Sequence, residues 1–201
     1  MLAVIDKSRA EAFSDGVIAV AITLLALDLA VPGPGHGPLA GLLGQKWPNY
    51  AAYAVSFLTI GIIWINHRAM FSRLRGVDHT VLVLNLVLLM AVVVLPFSTS
   101  LMASYLRSGQ GQKLAAVVYG GSFVLMGMAF FGIQLYCMLA RPNLLVDGMT
   151  PARRRAVLYR NATGLVPYAI ATAGALVTPY LTLAICALVA VYYALPGTTI
   201  D

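Results

Sequence analysis

Residues 161–200 contain no Asp, Glu, Lys or Arg. Wound as one helix that stretch would be ~60 Å long, about twice the hydrocarbon thickness of a bilayer. Thr178-Pro179 is its only plausible turn, so the stretch divides into two spans, 163–177 and 179–195. Four further apolar runs precede it, at 16–31, 47–66, 80–105 and 114–140. At about 20 residues per crossing, the 60% of the chain that is hydrophobic fills six spans. Only 10% of residues are charged and the mean hydropathy is +0.86, which excludes an ordinary water-soluble enzyme or regulator. The expected fold is an all-α integral membrane protein, one domain over 1–201 with six transmembrane helices per subunit.

Sidedness follows from Lys and Arg. Lys7, Arg9, Arg68, Arg73, Arg75, Arg141, Arg153, Arg154, Arg155 and Arg160 fall on one side, against Lys46, Arg107 and Lys113 on the other. The positive-inside bias places both termini in the cytoplasm, and it accounts for the net charge of +6 without nucleic acid. The first apolar segment follows Arg9, Glu11 and Asp15 and lacks a convincing cleavage site, so it is expected to stay as a span. Cys137 and Cys186 lie inside apolar runs and read as small buried hydrophobes.

No motif for enzyme chemistry is present: no Walker loop, no HExxH, no Gly-x-Ser-x-Gly and no paired Cys or His at metal-ligand spacing. No cofactor and no fixed metal is expected. His36 sits in an outer loop, and His67 and His79 flank an inner one. Asp6, Glu11, Asp15, Asp28, Asp78 and Asp201 lie near span boundaries or in the aqueous phase, and Asp147 lies in a loop. A bilayer centre without carboxylates weighs against proton-coupled transport. A Thr-Val-Gly-Tyr-Gly filter is also missing.

The first span carries two adjoining stripes. Phe13, Val17, Val20, Leu24, Leu27 and Val31 form a bulky ridge, and Ala12, Gly16, Ala19, Thr23, Ala26 and Ala30 form a groove beside it. At 100° per residue, Val20, Leu24, Leu27 and Val31 fall within about 60°, with Thr23 on the edge. Such a ridge points at lipid, at the protein core or at a symmetry axis, and such a groove admits a close helix.

Arg9-Ala-Glu-Ala-Phe13-Ser14-Asp15, leading directly into this helix, resembles the Arg-x-x-x-Phe-Ser-Asp signature of the endolysosomal potassium-channel family, the transmembrane protein 175 family, and most closely its prokaryotic members. Trp64-Ile-Asn66-His67-Arg68-Ala-Met-Phe71 and the segment from Asn85 to Leu95-Pro96-Phe97 extend the match through the third span. The resemblance implies a homotetramer in a prokaryotic plasma membrane that conducts K+ through a central pore lined by the first helices. Its apolar constrictions fall on Val20, Leu24 and Leu27, and Thr23 falls at or near the pore wall, close to the permeating ion. The family often has isoleucine where Val20 stands, so the innermost ring here is expected to be wider.

Asp15 lies about 140° around the helix from Val20, facing other helices. Ser14, Asp15, His67 and Asn85, with Arg9 or Arg68, are expected to form a polar network beside Phe13, because such groups are costly to leave unpaired near lipid. Packing is one role for His67 and proton sensing the other. Trp64 and Tyr105 read as packing residues or interfacial anchors, and Asp28 as a mouth carboxylate or an ordinary interfacial one. The alternative to a channel is a cation or proton transporter in which His67 and Asp15 relay protons.

Overall fold

The computed structural model describes residues 6–146 and 149–195. Asp147 and Asp201, read above as a loop and a boundary carboxylate, lie outside the described residues. Helix α1 (Ser8–Leu24) tightens at its end into a 3-10 turn, Leu25–Leu29. It is followed by a short α2 (Leu39–Gln45), α3 (Trp47–Ser72), α4 (His79–Val93) and α5 (Leu95–Tyr105). Helix α6 (Gln112–Leu135) continues into a π turn, Tyr136–Ala140, and α7 (Pro151–Gly174) and α8 (Pro179–Ala194) complete the bundle. Among the described residues the sole extended pairing is an isolated bridge between Leu74 and Leu145.

Four segments are long and apolar enough to cross a membrane: Ser8–Leu29, Trp47–Ser72, His79–Tyr105 and Gln112–Ala140. The chain is an all-helical membrane protein. Helix α7 fails that measure because Arg153, Arg154, Arg155 and Arg160 crowd its first half, and α8 because it has only 16 residues. The six-span expectation thus meets four unambiguous spans plus a polar-ended helix and a short one. The division between the last two comes where the turn was expected: α7 ends at Gly174, and Thr178 is extended ahead of Pro179. The third span is not one continuous helix. Pro96 has no N–H to give the carbonyl of Val92 and its ring crowds that carbonyl, so regular winding lapses at Val94 between α4 and α5.

Helix α6 packs against α4, α5, α7 and α8, while α3 packs against α5 and α8. The approach of α6 to α7 requires glycine: a Cβ on Gly120 would sit 2.7 Å from Thr172 Oγ1 and 3.1 Å from its Cα, and one on Gly127 would overlap Leu165. Small residues let membrane helices reach van der Waals contact where water supplies no driving force. Buried hydroxyls add cross-links, with Ser56 Oγ 2.7 Å from Thr99 Oγ1 and 3.1 Å from Tyr119 Oη, and Ser98 Oγ 2.8 Å from Ser122 Oγ. Each such bond is worth about 0.6 kcal/mol in a membrane interior.

Candidate functional site

Helix α1 buries one narrow stripe, Ser14, Ile18, Ala21 and Leu25, against α3, α4 and α5. Ala10, Glu11, Val17 and Ile22 are half-buried, and the rest of its circumference is uncovered within one chain. On the bulky ridge Phe13 is 56% exposed, Val20 57%, Leu24 41% and Leu27 71%. The small stripe is bare as well: Ala12, Gly16, Ala19, Thr23, Ala26 and Ala30 are all exposed, and a Cβ on Gly16 would meet nothing within 4 Å. Val20 and Leu24 share a shallow apolar hollow with Phe13, Gly16 and Val93 of α4. Thr23 Oγ1 donates to Val20 O at 2.8 Å. That bond uses the hydroxyl hydrogen and leaves the oxygen of an exposed residue able to accept.

The polar residues near the start of α1 form two groups. In the buried one, Ser14 Oγ donates to Ala10 O at 2.7 Å, Asn85 Nδ2 donates to Ser14 Oγ at 2.9 Å, and Asn85 Oδ1 lies 2.9 Å from His67 Nε2. Since Asn85 Oδ1 only accepts, His67 carries its proton on Nε2. Its ring stacks on Phe71 at 4.3 Å, and Nδ1 has no partner. Asp15 belongs to the second, exposed group: its Oδ1 accepts from Trp64 Nε1 at 2.7 Å, and Arg68 lies 5.2 Å above the Trp64 ring. The single network expected from the sequence is therefore divided, with Asp15 bonded to Trp64 and not to His67. Arg9 and Phe13 are exposed. Asp28, in the 3-10 turn, accepts from Ser100 Oγ at 2.9 Å through Oδ1 and from Asn49 Nδ2 at 3.1 Å through its carbonyl, which ties the end of α1 to α5 and α3.

A third polar site joins α4 to the end of α6. Fully buried Asp78 caps α4, accepting from Val81 N at 3.0 Å, and its other oxygen accepts from Tyr136 Oη at 2.8 Å and Arg141 Nε at 3.2 Å. Burial pushes this carboxyl up, but the bonds from Val81, Tyr136 and Arg141 outweigh it and hold the pKa below the ordinary value of 3.8. Nearby, Lys7 Nζ donates to Phe71 O at 2.7 Å and Leu74 O at 2.8 Å, placing a cation at the negative end of α3.

Comparison with known proteins decides the family. Over 190 residues the chain is 45% identical to a potassium channel of Streptomyces collinus, covering 94% of this chain and 91% of that one. Residues 9–96 match the family described as the endosomal/lysosomal potassium channel TMEM175. The chain belongs to the TMEM175 family. A potassium channel of Chamaesiphon minutus is 36% identical over 200 residues, covering 94% of each chain. The crystal structure of a lysosomal potassium-selective TMEM175 homolog from Chamaesiphon minutus superposes with a TM-score of 0.84 at 33% identity, over 96% of this chain and 98% of that one.

The TMEM175 match takes in α1, Trp64, His67 and Asn85 but stops short of the arginine-rich α7. Within this TMEM175 chain, Asp78 is the site that sequence alone marks only as a boundary carboxylate. Its signal is present: an Asp two residues before an apolar run is a helix N-cap candidate. Nothing local announces Tyr136 and Arg141, which lie 58 and 63 residues away.

Proposed function

We propose that four copies of this chain assemble around an axis lined by α1 and form a K+-selective cation channel, gated by apolar rings of Val20, Leu24 and Leu27. The observation that carries this reading is the uncovered ridge of α1, 71% exposed at Leu27 and 57% at Val20, on a helix whose opposite stripe is fully packed. The bare small stripe beside it, open at Gly16, offers the surface on which a second copy seats. Relatives with this architecture are named potassium channels.

Four copies of one side chain around an axis make a ring. An ion entering a narrow apolar ring sheds water with nothing to replace it, so the constriction closes by dewetting and opens when the side chains leave the axis. Sodium holds its water more tightly than potassium and is penalised more, which yields modest selectivity. The Thr23 hydroxyls, one residue before Leu24, supply the side-chain oxygens that meet a partly dehydrated ion between the Val20 and Leu24 rings. In this reading α7 and α8 complete six passes, the arginines of α7 lie at a membrane boundary where long side chains reach water, and both termini face the cytoplasm of a prokaryotic plasma membrane.

Purified protein in liposomes under a K+ gradient tests the proposal. Passive flux that does not saturate and that rises in Leu27→Ala is expected; coupled uphill movement would make the protein a transporter, and silence in every variant would remove the pore.

A further inference from the structure

Helices α3, α6, α7 and α8 leave a cavity of about 110 Å³ between them, away from α1. Its walls are apolar, with Ile63, Phe123, Phe130, Phe131 and Leu165 among them. Arg160 and Asn161, the latter donating to Gln134 of α6, line one end, and Tyr168, about two turns further along α7, packs on Phe123 with 5.6 Å between ring centres. From residue 160 to 168 along α7 is about 12 Å of helix. Among the described residues no carboxylate lines the cavity, and the Arg160 guanidinium makes no ion pair. Two turns earlier on the same face of α7 is Arg153, and Arg73, at the end of α3, lies within electrostatic range of both, so the three make a cluster of positive charge. Burial lowers the Arg73 pKa, and the like charges of Arg153 and Arg160 lower it further.

A guanidinium at the polar end of an apolar slot, with no carboxylate lining that slot among the described residues, matches one kind of molecule: an anion with a hydrocarbon tail. We propose that this cavity seats the part of one acyl chain nearest the headgroup of an anionic phospholipid, with the phosphate group on Arg160 and the Arg73 and Arg153 charges adding to the local positive field. A neutral lipid would fill the same slot and leave the cluster uncompensated. A free phosphate would satisfy the cluster and leave the apolar walls empty. Basic pockets between helices on the arginine-rich face are the places where such headgroups lodge.

Phe131→Trp places a reporter in the wall, read as the fluorescence added over the native tryptophans. In vesicles of phosphatidylcholine doped with brominated lipid, half-quenching is expected at an about fivefold lower fraction of brominated phosphatidylglycerol than of brominated phosphatidylcholine, the factor that one interfacial arginine supplies. Arg160→Gln should erase this preference and Arg160→Lys should restore most of it. Equal quenching by the two lipids, a preference that survives Arg160→Gln, or its loss on adding millimolar inorganic phosphate would each overturn the proposal. If Phe131→Trp fails to assemble, lipid carried through purification is measured by mass spectrometry. Wild type enriched in phosphatidylglycerol relative to Arg160→Gln supports the site, and equal ratios reject it.

Discussion

Asn85 holds three helices with one amide: its nitrogen reaches Ser14 on α1, its oxygen reaches His67 on α3, and its backbone belongs to α4. Asn85→Ala would leave the His67 Nε2 proton buried without an acceptor, a loss of about 1–3 kcal/mol. Asp15→Ala removes a bond at an exposed site, and a smaller loss is expected. Thermal unfolding in detergent should rank the two in that order. Thr23→Val keeps the shape of the side chain and removes its oxygen, so assembly should be retained while the preference for K+ over Na+ falls, as read from reversal potentials in mixed gradients. At this scale the sequence disclosed which residues are polar in an apolar setting, and Ser14, His67 and Asn85 do meet. It did not disclose the partner of Asp15. Helical periodicity fixes the direction in which Asp15 points but not which neighbouring side chain is long enough to reach it, and the Trp64 indole one turn before His67 is the one that does.

Among the elements, the junction of α4 with the end of α6 has a pH dependence that can be worked out. Asp78 titrates lower in the folded protein than its ordinary value of 3.8, so the folded state holds the proton less tightly than the unfolded chain. Its contribution to stability is therefore fully present above the ordinary carboxylate range and is lost as pH falls through the lowered folded value. The melting temperature of the wild type should drop on acidification below about pH 4. Asp78→Asn, which keeps an acceptor for Val81 and removes the charge facing Arg141, should start lower and lose less over the same range. The apolar runs located the helices because a bilayer tolerates little else in its interior. What they concealed was interruption: Pro96 was visible but its run was apolar throughout, so hydropathy alone drew one span where the backbone lapses at Val94. The glycines of α6 were visible too, yet which helix they admit is a property of the fold, since Gly120 and Thr172 are brought together from distant segments.

For the whole molecule, the deciding surface is the one that a single chain leaves uncovered. Leu24→Ala and Leu27→Ala should raise basal cation current in proteoliposomes, whereas Leu188→Ala, 71% exposed on α8, should leave it close to wild type. Equal changes at all three positions would take α1 off the axis. The 3-10 winding of Leu25–Leu29 adds a mechanical consequence. Residues three apart are offset by about 60° in an α-helix but eclipsed in a 3-10 helix. Leu24 and Leu27 are therefore brought close to one azimuth, stacked one above the other. Relaxing that single turn to α geometry would swing Leu27 aside by up to about 60°, but Leu25 is packed and Asp28 is held by Ser100 and Asn49, so the swing requires those two bonds to be released: they latch a short torsion element with a bulky crank at its tip.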